Sequence, residues 1–154
     1  SALMLYEKES PDMTLGLILS LIDEDRSTGQ KWLYQGEEQD RDFFDGLIQE
    51  FCWNLFNLGT PQAREAFLKV SEKMLSYDRK SPVFMANVGS YLMSVKEYKK
   101  ALKQFDKVLK LDPDNDTGIR NCVTIARILR DDKLKSRYNP MLSRLSSGGT
   151  AASY

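Results

Sequence analysis

From Phe43 onward, apolar side chains recur every three or four residues. Phe43, Phe44, Leu47, Ile48, Phe51, Cys52, Leu55 and Phe56 make one uninterrupted stripe. That spacing predicts a helix with one face buried. Asn57–Gly59 ends it. Thr60-Pro61 then supplies a cap and a proline suited to the first helical position, so a second helix begins. Ala63, Ala66, Phe67, Val70, Met74 and Tyr77 are expected on its buried face. A connection this short makes the two helices antiparallel neighbours.

The pattern repeats from Ser81-Pro82. A first helix presents Phe84, Met85, Val88, Gly89 and Leu92; a second presents Tyr98, Ala101, Leu102, Phe105, Val108 and Leu109. Asp112-Pro113 closes the pair, because the residue before a proline is pushed out of the α region. A glycine inside a helix costs about 1 kcal/mol relative to alanine. Gly89 is therefore expected to let the partner helix approach, with Ala101 facing it. A further helix is expected over about 116–130, with Ile119, Cys122, Val123, Ala126 and Leu129 inward. Leu134, Tyr138, Met141, Leu142 and Leu145 suit a last helix that Pro140 interrupts.

The flanks read differently. Ser10-Pro11 starts a helix over roughly 11–24, ended by Asp23-Glu24-Asp25 and a Ser27-Thr28-Gly29 turn. Residues 30–40 are expected to be a loop or a short helix that docks Trp32 on the repeat body. Residues 146–154 are rich in Ser, Gly and Ala and are expected to form a flexible tail. The domain plan is thus an N-terminal helical extension over 1–42 that packs on the repeats, a helical repeat body over 43–145, and the tail. Within the body, 43–81 is a degenerate hairpin, 82–115 a clear one, and 116–145 a partial or capping one.

A helix–turn–helix unit of 34 residues cannot bury its apolar face alone and implies stacked neighbours. Residues 82–115 resemble the tetratricopeptide repeat family. Gly89 and Leu92 stand where the family wants a small and then a large residue. Tyr98, Ala101, Phe105, Val108 and Pro113 supply the pattern of the second helix and its stop, and Met85 replaces the family's tryptophan. A copy shifted back by 34 is weaker, with Leu55, Phe67 and Arg79 where glycine, alanine and proline are expected. The resemblance implies an all-α fold, an α-α superhelix of about three hairpins. Its first helices line a concave face.

That face is where the resemblance puts binding. Its expected exposed positions are Phe56, Ser90, Met93, Arg120, Thr124 and Arg127. Together they suit a peptide with an apolar anchor and an acidic flank. Some repeat adaptors hold a C-terminal carboxylate with a basic and amide clamp. Here Ala86, Ser90, Ser94, Thr117 and Asn121 occupy the matching face, so that clamp is missing. The expected activity is a non-enzymatic protein–protein interaction module that holds a peptide or helix in its groove. The alternatives are a small chaperone or assembly factor for secreted proteins, and the repeat part of a larger enzyme or regulator.

Composition narrows the chemistry. The chain of 154 residues has no histidine, which removes the commonest general base and metal ligand. Phosphate-binding loops and Cys-x-x-Cys pairs are missing, and no cofactor or metal is expected. Asp112, Asp114 and Asp116 alternate like a calcium loop but lack its glycine and final glutamate, so an inter-helix turn accounts for them better. Cys52 and Cys122 fit buried free thiols.

Net charge is zero, yet residues 1–50 carry 12 acidic and 4 basic side chains, and the remainder 10 and 18. The acidic segment, with Leu17, Leu21 and Trp32, is suited either to lie in the groove or to join two copies as a homodimer. Arg127, Arg130, Lys133, Lys135 and Arg137 lack interleaved aromatics apart from Tyr138, so no nucleic-acid partner is expected. The apolar run Met13–Ile22 is too short to cross a bilayer and no membrane partner is expected. An opening at Ser1-Ala2 without methionine is expected of a trimmed chain. Localisation stays open: the thiols favour the cytoplasm, and a trimmed signal would allow the periplasm or secretion.

Overall fold

The computed structural model describes the backbone of residues 11–27 and 38–152, and side-chain surroundings within 11–26 and 42–147. The described residues are helical: α1 Pro11–Ser27, α2 Glu38–Leu58, α3 Pro61–Tyr77, α4 Pro82–Ser94, α5 Tyr98–Leu111, α6 Asp116–Leu129 and α7 Asp132–Ala152. The expected docking of Trp32 lies outside the described residues. None of the described helices is long and apolar enough to cross a membrane. The chain divides into two compact units, 1–79 and 80–154. The boundary puts the degenerate hairpin with the N-terminal helix, and the two later hairpins together.

In the first unit α3 packs against both α1 and α2. Phe44, Ile48, Phe51, Cys52 and Leu55 of α2 are buried with Ala63, Ala66, Phe67, Val70 and Met74 of α3 and Ile22 of α1. Helix α2 begins at Glu38, earlier than the apolar stripe, and crosses the expected boundary at residue 42. Phe43 and Leu47 remain 57% and 38% exposed, because the stripe is wider than the side of α2 that faces α3. Tyr77 is also outside the core: its hydroxyl donates to Asp23 Oδ1 at 2.6 Å, while Lys73 pairs with Asp23 Oδ2 at 3.1 Å. These bonds join α1 to α3. They hold the Asp23 carboxyl below its ordinary value, the Tyr77 hydrogen bond contributing most and Lys73 next.

Arg26 is the second fastener of α1. It pairs with Asp25 at 2.8 Å and with Asp45 of α2, and its guanidinium lies 5.3 Å from the Phe44 ring centroid. The side chains of Arg26 and Asp25 are 8% and 0% exposed, so this charge cluster is largely out of water.

The second unit stacks α4 on α5, α5 on α6, and α6 on α7. Phe84, Met85 and Ala86 of α4 are buried with Ala101, Phe105 and Val108 of α5. Ile119, Cys122, Val123, Ile125 and Ala126 of α6 continue the core, and Tyr138 of α7 is fully buried. Gly89 does open space, but for a residue other than the one expected. A Cβ built there would lie 2.7 Å from the Phe105 ring, so it is this ring, one turn beyond Ala101, that fills the notch.

The helix ends repeat at an interval of 34 residues. Ser81 accepts from the Phe84 amide and Asn115 from the Gly118 amide. Asp78 and Asp112 both donate their amides four residues back, to Met74 and Val108. Lys96 and Arg130 both adopt left-handed backbone, at φ 64° and 53°. Around each, one amide reaches back three residues and the next reaches back five: Lys96 to Met93 and Glu97 to Leu92, Arg130 to Arg127 and Asp131 to Ala126. This is the Schellman arrangement, which satisfies the last carbonyls of a helix.

Helix α7 corrects one expectation. Pro140 does not break it. The bond lost to proline is the one to the carbonyl of Ser136, and both residues are exposed, so the lost bond falls on the solvent side of the helix. The helix runs on to Ala152. Extending an existing helix avoids the cost of nucleating one.

Candidate functional site

The expected groove residues separate into three environments. Phe56 belongs to the first unit. It is half-buried, its ring 4.9 Å from Phe67 and 5.4 Å from Trp53, with the Arg64 guanidinium 5.0 Å from its centroid. Phe56 was expected among the exposed positions; it is half-buried and its ring has aromatic and cationic neighbours. Ser90, on α4, was expected at the surface but is 8% exposed. The buried side of α4 extends over Phe84–Asn87, Gly89 and Ser90, nearly surrounding that short helix. Met93 is half-buried on the same helix.

Arg120, Thr124 and Arg127 do come together. They follow one another at four and three residues along α6, and all are exposed. Their backbone is positioned by the opposite side of the helix, where Ile119, Cys122, Val123 and Ala126 are buried. Arg120 donates to Asp116 at 2.8 Å, one turn earlier, an exposed pair that water screens. The Thr124 hydroxyl donates to the Arg120 carbonyl at 2.9 Å. On the flank, the Asn121 amide donates to the Thr117 carbonyl at 2.8 Å. The result is a strip of cationic and hydroxyl groups on a rigid helix.

Sequence reasoning missed a second basic surface. Lys100, Lys103, Lys107 and Lys110 stand at intervals of three, four and three residues on α5, opposite buried Ala101, Phe105 and Val108. They line an open cleft of about 420 Å³ together with Leu92, Gln104 and Asp106. The spacing was visible in the sequence; the cleft needed Leu92 to arrive from α4. Asp106 is held in place, accepting the Tyr138 hydroxyl and lying 3.8 Å from Arg137.

The thiols offer little reactivity. Cys52 and Cys122 are free and buried. Burial pushes both up to about 12; for Cys122 the negative charge of Asp106 adds to it. Tyr138 is likewise pushed up, by burial first and by its bond to Asp106 second. These groups stay protonated at neutral pH and act as packing and fastening elements. Among the described residues, no group of three or more His, Cys, Asp or Glu is arranged to hold a metal ion. Compared with known proteins, the chain matches no family model and no curated relative.

Proposed function

We propose that the chain is a non-enzymatic interaction module of tetratricopeptide-like hairpins, in which the open face of α6 holds a peptide or a helix of a protein partner. The observation that carries this reading is the division of α6 into two sides. One side is committed to the core through Ile119, Cys122, Val123 and Ala126; the other carries Arg120, Thr124 and Arg127 into solvent. The 34-residue recurrence of caps and left-handed turns supports the hairpin-repeat part of the reading. A preformed surface of this kind favours binding because little backbone entropy is lost when a partner arrives. An acidic stretch matches the two arginines, and half-buried Met93 suits an apolar neighbour.

Selection from a displayed random-peptide library tests this. Acidic peptides with an apolar anchor are expected to be enriched. Their binding is expected to disappear in Arg120→Glu with Arg127→Glu while circular dichroism stays native. Enrichment unaffected by that double substitution would rule out the α6 face.

A further inference from the structure

The two units of the chain carry opposite net charge. Residues 1–79 carry 15 acidic and 8 basic side chains, a net −7; residues 80–154 carry 7 and 14, a net +7. Much of the positive excess is concentrated. Lys100, Lys103, Lys107 and Lys110 project from one side of α5, and none of the four makes an ion pair among the described residues. At 1.5 Å per residue the row is about 15 Å long. It borders the open cleft that contains Leu92.

The negative unit bears a matching face on α2. Asp42, Phe43, Gly46, Leu47 and Glu50 fall on one side of that helix and are all exposed. Phe43 and Leu47, at 57% and 38% exposed, are one turn apart and form an apolar pair outside the core. Asp42 and Glu50 flank the pair and are about 12 Å apart along the axis. This leaves apolar surface in water, between carboxylates, that a partner helix can cover. The two faces are similar in length and opposite in charge: carboxylates meet lysines, and Phe43 and Leu47 meet Leu92, the one apolar residue that lines the cleft.

We propose that the α5 lysine row is a docking surface for α2 of a second copy of this chain. In the proposed dimer the contact is reciprocal, α2 of each copy resting on α5 of the other, since each copy supplies one acidic and one basic face. A nucleic acid fits the row less well. Asp106 places a negative charge within the cleft, and neither an arginine nor an aromatic residue lines it. The proposal does not use Arg120 or Arg127, so it stands or falls separately from the function proposed above.

Sedimentation velocity on the full chain, across a concentration series at low and high salt, provides the test. The wild type is expected to dimerise at low salt, with a dissociation constant that rises at least roughly tenfold as salt screens the contact. Lys103→Glu with Lys107→Glu is expected to be monomeric, as is Asp42→Lys with Glu50→Lys, each with native circular dichroism. Mixing the two variants restores opposite charges at both contacts, so a heterodimer is expected to form. A wild type that stays monomeric at every concentration overturns the proposal and leaves the lysines to another partner or to the chain's own acidic unit. Variants that still dimerise overturn it too, as do folded, monomeric variants that fail to combine.

Discussion

The joint between α2 and α3 and the joint between α6 and α7 are both about two residues long, yet they are built differently. At the first, Gly59 adopts φ 76° and donates to the Phe56 carbonyl, and Thr60 caps the next helix. At the second, Arg130 takes the left-handed conformation that glycine would adopt freely, and Asp131 caps α7. The second joint repeats, 34 residues later, the one at Lys96; the first does not belong to that series. Fastening differs in the same way. The first unit uses largely buried charge at Asp25–Arg26–Asp45 and a cluster of edge-on and tilted aromatic rings at Trp53, Phe56 and Phe67. The second uses a glycine notch filled by Phe105 and a phenol bonded to Asp106. A strict repeat constrains where small residues and caps must stand. A unit that keeps only part of that recurrence is free to use specific charge pairs as well.

This contrast is sharpest where each unit has its fastener removed. Arg26→Ala is expected to cost about 3–5 kcal/mol, because it strips buried Asp25 of its cation. Hydrogen exchange is expected to accelerate in α1 and α2 and remain slow in α5 and α6. Uniform acceleration would show that the units do not hold themselves separately. Gly89→Leu is expected to cost about 1–3 kcal/mol through overpacking against Phe105. Its effect belongs in α4 and α5, read as a lower melting temperature with exchange slow in α3. An unchanged melting temperature would refute a tight notch.

The smallest effect is a gain. Lys96→Gly and Arg130→Gly relieve left-handed backbone at a side chain that resists it, offset in part by the freedom glycine has when unfolded. Each is expected to stabilise by about 0.5–1 kcal/mol in denaturant unfolding. Equal gains would support one shared turn device; a loss at either would separate them.

The sequence by itself determined the helices and most of their ends. Apolar spacing marked the sides of α3, α5 and α6 that are buried, and Thr60-Pro61, Ser81-Pro82 and Asp112-Pro113 marked where the chain turns. These signals are local, set by the backbone geometry of a few neighbouring residues. Tertiary structure alone decided which members of a wide apolar stripe find a partner. Phe43 and Leu47 face water while Phe44 and Ile48 are buried, although their spacing is the same. It also decided that Phe105 fills the notch of Gly89, that Ser90 is covered, and that Tyr77 leaves the core for Asp23. The same holds for α7 surviving Pro140. Each outcome depends on what another helix brings to that place, and no periodicity within one helix encodes it.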